Sequence, residues 1–309
     1  MYVFHIVSVI LSCCNGLMVK ALTKNQASNE LLLLSTEVCK VCIAFLICSI
    51  YCKTYPTFTP FRWTFVIASF CYMLVNTLSW WLLQQKQNIG LYFLLLQHRM
   101  LWILLFSVIL LRKSCNVKQI ASVILVLVGI FLAASGDDSE NFSFISFNAN
   151  YIALIFLQGA ISAFASVWLE FMMKVERNIE KNDSAQKLYW FLNDSIHMYI
   201  IGLPFYLAAY YFRSSTTHTL SYETSAMICI FNALEGIMLG SIFVYYSAIW
   251  RGFQGALVII ILFLVAKQDS IASWTGLVIA FTGIYTWSHW NMAIPHIALT
   301  TPNTTKVEV

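Results

Sequence analysis

The 309-residue sequence predicts an all-α polytopic membrane protein with ten transmembrane helices. Hydrophobic residues make up 60% of the chain and charged residues only 10%, whereas soluble domains carry roughly 25% charged residues. The mean hydropathy is +0.74, and apolar windows long enough to span a bilayer recur along the whole sequence. We therefore expect a single integral membrane domain over residues 1–309.

Ten apolar windows divide the chain. The first lacks the basic segment and the small-residue cleavage site of a secretory signal, so we interpret it as a membrane span. The windows are residues 2–23, 31–52, 63–83, 91–111, 118–135, 149–173, 188–212, 226–249, 253–266 and 271–291.

The distribution of charge predicts the orientation of these spans. An even number of spans places both termini on one side. If that side is the cytosol, its loops hold eleven lysines and arginines against five in the opposite loops, as the positive-inside rule requires. The opposite side also receives the sequon Asn141-Phe142-Ser143, which is glycosylated only in a lumen or outside the cell. We predict cytosolic termini, including a short tail over residues 292–309.

The chain also matches itself at an offset of 154 residues. The matched pairs are Ser8 with Ser162, Ser12 with Ser166, Met18 with Met172, Lys20 with Lys174, Lys113 with Lys267, and residues 129–131 with 283–285. These matches favour duplication of a five-helix unit, with repeat one near 1–136 and repeat two near 149–291. A five-span unit reinserts upside down, and in secondary transporters with inverted repeats the site lies near the midplane between the halves.

The fourth window carries Gln97, His98 and Arg99 near its middle. An arginine in mid-membrane costs about 3 kcal/mol or more on insertion scales, so it faces a partner or a polar cavity. Arg99 is our first candidate for a ligand contact. A buried ion pair that only fastens two helices is the alternative.

The second window contains two opposite charges, Glu37 and Lys40. Three-residue spacing puts both on one helical face. As a structural pair they would stiffen the helix. As a functional pair, Lys40 would be exchanged between Glu37 and an anionic ligand, and the sequence does not choose between these roles.

Other spans also contain polar side chains. In window three, Tyr72, Asn76 and Thr77 could hydrogen-bond across helices or to a nucleobase or sugar. The densest polar run, in window seven, includes Ser195 and Tyr199 and predicts a cavity lining.

Windows six and eight carry small residues at four-residue spacing, which predict close helix packing. They include Ser162 in window six and the pair Gly236 and Gly240 in window eight. The role of Glu170, one turn before Lys174, stays open.

Tyr245 lies near the end of window eight, and Arg251 lies between windows eight and nine. There Arg251 could contact a ligand, or it could extend its charged end to the membrane surface.

The sequence contains no HExxH, P-loop or GxSxG motif and no metal-ligand spacing. We therefore expect no enzyme, no metal and no cofactor.

At these residues the chain resembles the nucleotide-sugar transporters of the Golgi and endoplasmic reticulum, a branch of the drug/metabolite transporter superfamily. The similar group carries CMP-sialic acid and UDP-galactose. Its motif A-E-V-L-K resembles TEVCK at residues 36–40. Its motifs Y-x3-N-N-L, Y-Q-L-K-I, T-A-L-F-S-V-L-M-L-x-[RK] and S-G-F-A-G-V-Y-F-E-K-x-L-K resemble residues 72–78, 97–100, 105–112 and 162–174. In the second half, K-Y-x-D-N-I-x-K-G-F corresponds to residues 244–253, which lack its first lysine, aspartate and asparagine.

The resemblance implies an inverted five-plus-five repeat, the drug/metabolite transporter fold, in a Golgi or endoplasmic reticulum membrane. It implies an antiporter that exchanges a cytosolic UDP- or CMP-linked sugar for a luminal nucleoside monophosphate. Arg99 would hold phosphate by a bidentate contact, Lys40 would add a second positive charge, and Tyr72, Asn76 and Tyr199 would contact base or sugar. Beyond these ligands we expect membrane lipid as a partner, allow for a homodimer, and expect no nucleic acid.

Two other functions stay open at the level of sequence. One is a regulatory or scaffold paralogue that keeps the fold without transporting. The other is a drug/metabolite carrier for a cation or neutral solute, which an acidic surplus within the spans would suit. The four acids are Glu37, Glu170, Asp194 and Glu235, against Lys40 and Arg99.

Overall fold

Helices form nearly all of the chain that the computed structural model describes, namely residues 7–14, 29–53, 55–57, 62–84, 89–135, 149–176, 184–213, 222–265 and 270–290. The all-α prediction is confirmed for these residues. In chain order the helices are α1 (7–14), α2 (Asn29–Tyr51), α3 (Trp63–Gln84), α4 (Ile89–Leu95), α5 (Arg99–Leu111), α6 (Val117–Ser135), α7 (Ala149–Phe171), α8 (Ser184–Arg213), α9 (Tyr222–Tyr245), α10 (Ala248–Val265) and α11 (Ile271–Trp290).

Five described segments are long and apolar enough to cross a membrane, as the hydropathy of the sequence predicts. They are Leu31–Ile50, Trp63–Leu83, Tyr92–Leu111, Ala149–Val175 and Ser225–Tyr245. Shorter apolar stretches lie at Val117–Ala133 and Ala248–Ile261. The number of ten spans stays a prediction. The sequon at Asn141, the tail at 292–309 and much of the first window lie outside the described residues.

The fourth window is not one continuous α-helix. A 3₁₀ turn over Leu96–His98 separates α4 from α5, and the Arg99 N–H donates to the Leu96 carbonyl three residues back. The His98 ring fills the space left open by Gly159. Its Nδ1 lies 2.6 Å from the Leu95 carbonyl oxygen. The 3₁₀ turn therefore coincides with the polar residues Gln97, His98 and Arg99 in the middle of the window.

Helix α10, which corresponds to the ninth apolar window, begins earlier than the apolar pattern predicts. The turn after α9 ends at Ser247, and α10 starts at Ala248 rather than near residue 253. The buried Glu170 carboxylate accepts the Ala248 N–H at 2.8 Å, which satisfies one of the free amides of this first turn. Arg251 therefore lies inside α10 and not at its boundary.

Helices α6 and α11 pack along each other with very close backbones. A Cβ atom at Gly129 would lie 2.6 Å from the Gly276 carbonyl oxygen, and one at Gly283 would lie 2.8 Å from the Ser122 carbonyl oxygen. Gly129 and Gly283 are 154 residues apart, as are Ser122 and Gly276. Each contact therefore becomes the other when every residue is shifted by that offset.

The remaining helices surround a central space. Helix α2 packs against α8 and α9, α3 against α7 and α8, and α5 against α7 and α10. The α6–α11 pair does not line this space, because the residues that border it come from other helices.

Connections that the charge pattern assigns to the cytosol lie together at one end of the bundle. The contacts that join them are Thr57 N–H to Asn193 Oδ1 at 2.9 Å, Trp168 Nε1 to Thr64 O at 3.0 Å, Lys113 Nζ to Glu170 Oε1 at 2.6 Å, and Lys174 Nζ to Tyr246 O. The number and direction of the spans stay predictions.

Candidate ligand-binding cavity

A cavity of about 370 Å³ lies between the helices, bordered mainly by α2, α3, α4, α8, α9 and α10. Its lining follows helical periodicity, with residues three or four apart on each helix. The predicted site residues that line it are Glu37, Lys40, Tyr72, Asn76, Gln97, Arg99, Ser195, Tyr199 and Arg251. Side chains from distant parts of the chain therefore share one space.

Arg99 lies at the first position of α5, directly after the 3₁₀ turn. Its side chain is half-buried, and its Nε is enclosed and makes no hydrogen bond. Among the residues that the structure describes, Arg99 forms no ion pair. The buried ion pair that the sequence offered as the alternative role of Arg99 is thus not found in the described part of the chain.

Arg251 projects from α10 into the same cavity. Its Nη1 donates to Tyr72 Oη at 3.3 Å and to Ser166 Oγ at 3.2 Å. Its guanidinium carbon also lies 5.3 Å from the centre of the Phe243 ring, close enough for a cation–π interaction. These partners hold the guanidinium group without neutralising its charge.

Glu37 and Lys40 form the ion pair that their spacing predicts, with 2.5 Å between Lys40 Nζ and Glu37 Oε1. The Glu37 carboxylate is buried, at 4% exposure. Lys40 Nζ lies 5.5 Å from the centre of the Tyr199 ring. A Cβ atom at Gly236 would lie 2.8 Å from Lys40 Cε. The pair is therefore packed between α8 and α9.

Polar and aromatic side chains fill the rest of the lining. Asn76 Nδ2 donates to Tyr206 Oη at 2.6 Å, and Gln254 Nε2 donates to Ser8 Oγ at 2.5 Å. The carbonyl oxygens of Gln97 and Gln254 are buried and accept no hydrogen bond. Both amides therefore retain an acceptor for a hydroxyl or amino group of a ligand.

Three predicted site residues lie away from the cavity lining. Glu170 is fully buried, pairs with Lys113 at 2.6 Å and Lys174 at 3.2 Å, and accepts the Ala248 N–H. Ser162 lies on α7, where its carbonyl accepts the Ser166 hydroxyl at 2.8 Å. Tyr245 packs against the apolar core at the end of α9.

The charges that line the cavity are three cations, Lys40, Arg99 and Arg251, and two carboxylates, Glu37 and Glu235. The acidic surplus counted from the sequence is not found in the cavity, because Glu170 is paired elsewhere and Asp194 does not line the cavity.

Sequence reasoning omitted Tyr206, Glu235 and Gln254 from the site. Gln254 carries a signal that was missed, since it is a polar residue one turn after Arg251 in an apolar span. Gly236 and Gly240 are closely packed, as their spacing predicts, but against side chains. The open sides of these glycines face the side chains of Lys40 and Phe191 and not a neighbouring backbone.

The described residues include no cluster of three histidine, cysteine or acidic side chains that could hold a metal ion.

Comparisons with known proteins identify the fold and no function. No protein-family model matches the sequence, and no curated protein matches it. A solved crystal structure, described only as that of a protein, is similar with a TM-score of 0.65 and 11% sequence identity. The similarity covers 92% of this chain and 94% of that one. At this identity it shows a shared fold alone.

Proposed function

We propose that this protein is a membrane carrier of a phosphate-bearing anion, and specifically an antiporter that exchanges a nucleotide sugar for a nucleoside monophosphate. One observation carries the proposal: Arg99 and Arg251 line one cavity, and neither forms an ion pair among the described residues. Two guanidinium groups inside apolar helices with no ion-pair partner among the described residues favour an anionic ligand, because intramembrane charges normally find a counter-charge.

The chemistry of arginine suits phosphate. A guanidinium group presents a planar fork of donors that matches phosphate oxygens in a bidentate contact. The Nε of Arg99 has no other partner. A bound phosphate would also relieve the repulsion between the two like charges.

The remainder of the lining suits a nucleoside or a sugar. Tyr72, Tyr199 and Tyr206 provide aromatic rings and hydroxyl groups. The free carbonyl oxygens of Gln97 and Gln254 can accept from hydroxyl or amino groups. Lys40 can exchange Glu37 for a second anionic group, as the functional role of this pair requires.

We further infer that ten spans form an inverted five-plus-five repeat. The α6–α11 contacts support it, because Gly129 with Gly276 and Gly283 with Ser122 exchange under the 154-residue offset. The packing of α2 with α9 and of α3 with α8 supports the repeat in the same way. If the halves are exchanged, α2 and α8, the second and seventh spans, change places, and so do α3 and α9, the third and eighth. Each of these contacts then becomes the other. Such a repeat provides two related arrangements for alternating access.

The resemblance to nucleotide-sugar transporters supports a location in the Golgi or endoplasmic reticulum membrane. The cytosolic nucleotide sugar would enter by exchange for the luminal nucleoside monophosphate. Membrane lipid surrounds the protein in this proposal, and no nucleic acid takes part.

Reconstitution of the full chain in liposomes tests the function. We expect saturable uptake of a labelled UDP- or CMP-sugar that rises when the vesicles are preloaded with UMP or CMP. Arg99→Gln should lower uptake at least tenfold, because a hydrogen bond to a charged group contributes about 1.5–3 kcal/mol. Arg99→Lys should retain reduced uptake through a point charge.

A matched control removes the same charge outside the cavity. Arg112 is exposed in the turn after α5, so Arg112→Gln should leave uptake unchanged. Full uptake by well-folded Arg99→Gln protein would remove the main support for an anionic substrate. Uptake of a cation or neutral solute by the wild type, with none of a nucleotide sugar, would replace the proposal with the alternative carrier.

A further inference from the structure

Gly255 lies in the interior of α10, where glycine weakens a helix relative to alanine because it loses more backbone freedom on folding. No conformational need explains it, since the described part of the chain contains no glycine with positive φ. A reason for glycine at this position must come from what approaches its open side.

The group that approaches Gly255 is the Arg99 guanidinium. A Cβ atom at residue 255 would clash with Arg99 Nη2 and lie 3.6 Å from Cζ. The Gln97 amide oxygen, which accepts no hydrogen bond, lies 3.5 Å from the same point. The missing side chain therefore creates the space in which the guanidinium group rests against α10.

We propose that Gly255 is a positioning residue for Arg99, and that its lack of a side chain sets where the phosphate-binding guanidinium group stands in the cavity. The inference rests on the proposed function only for the identity of the ligand. The contact between Gly255 and Arg99 does not depend on it. A side chain at 255 would push the end of a flexible arginine and leave the backbone in place, so the protein would fold with its cation displaced.

A comparison with other glycines distinguishes the positioning of a cationic side chain from close packing between helix backbones. Gly236 stands in the same relation to Lys40, the third cation of the cavity. Gly276, in contrast, faces the backbone of α6, where no flexible group can yield. Gly202 lines the cavity too, but its nearest neighbours would lie 3.7–3.9 Å from an added Cβ, which is ordinary contact.

The test is a double-mutant cycle between residues 255 and 99 in the purified full chain. Lysine lacks the Nη atoms, so Gly255→Ala should cause no clash in an Arg99→Lys background. There the thermal midpoint should rise by roughly 2 °C through improved helix propensity. In the Arg99 background the same change should give no rise. This arm needs no ligand.

The second arm measures binding of UMP, CMP, GMP and AMP. Gly255→Ala should weaken binding of the preferred nucleotide at least tenfold with Arg99 present and less than twofold in the Arg99→Lys background. The control Arg112→Gln, which removes an exposed charge outside the cavity, should leave binding unchanged.

The two proposals fail differently. If none of the four nucleotides binds to the wild type, the proposed function is contradicted, while the thermal cycle still decides the role of Gly255. If Gly255→Ala shifts the midpoint equally in both backgrounds, or if nucleotide binding survives Gly255→Ala in the Arg99 protein, Gly255 does not position Arg99.

Discussion

The individual charged residues of the spans have different roles that their sequence positions do not distinguish. Arg99 and Glu170 each interrupt an apolar segment that is long enough to span a membrane. Glu170 is enclosed by two lysines and a backbone amide. Arg99 has no such partner among the described residues and borders the cavity. The free charge is therefore the better candidate for a ligand contact.

The Glu37–Lys40 pair provides a prediction at this scale. Lys40→Ala should lower stability by roughly 3–5 kcal/mol, because it leaves a buried carboxylate without its counter-charge. The double change Glu37→Gln with Lys40→Met should be better tolerated, since it removes both charges. Thermal unfolding in detergent measures the difference.

The 2.5 Å contact between Glu37 and Lys40 supports this dependence. If the double variant is no more stable than Lys40→Ala alone, the two residues are not energetically paired. If it is stable but no longer takes up substrate, the pair also serves the ligand.

At the scale of elements, one stripe of α7 fixes the beginning of α10. Ser166 and Glu170, four residues apart, and Lys174 in the following turn lie on the same face of this helix. They contact Arg251, the Ala248 amide and the Tyr246 carbonyl respectively. The stripe therefore sets where α10 starts and, one turn later, where Arg251 stands.

Glu170 carries the corresponding prediction. Glu170→Leu should lower stability by about 2–4 kcal/mol, because it leaves the Ala248 amide unsatisfied and separates two lysines from their carboxylate. Glu170→Gln keeps an acceptor for the amide and should lose less. Thermal unfolding with nucleotide binding as a second readout measures both.

Lys113→Met is the comparison for Glu170. It should cost less than Glu170→Leu, because Lys174 still lies 3.2 Å from the carboxylate and Lys113 is partly exposed. Equal losses from the two variants would show that Lys174 does not compensate for the loss of Lys113.

At the scale of the whole molecule, the loop sequences predict two ends with different charge. The connections that meet at one end include Lys113 and Lys174, and the sequence places most lysines and arginines in the loops of that side. The positive-inside rule predicts that this end faces the cytosol.

Protease protection in sealed microsomes tests this orientation. An epitope tag after residue 309 should be digested without detergent, while a luminal marker in the same vesicles should survive. Protection of the tag would reverse the topology, and the direction assigned to nucleotide-sugar exchange would reverse with it.

The sequence by itself determined the class of this protein and its chemically unusual residues. The free energy of moving side chains into hydrocarbon depends on composition, so apolar windows identify helices and an internal Arg99 or Glu37 is conspicuous. The ion pair of Glu37 with Lys40 was also predictable, because both residues lie within one helical turn.

Only the tertiary structure decided which of these residues meet. Arg251 lies in the cavity and Glu170 outside it because of how α7 and α10 are rotated against each other. The space at Gly255 for Arg99 depends on two helices that are far apart in the chain. Hydropathy is a local property, whereas a helix's rotation and its neighbours are fixed by packing between distant segments.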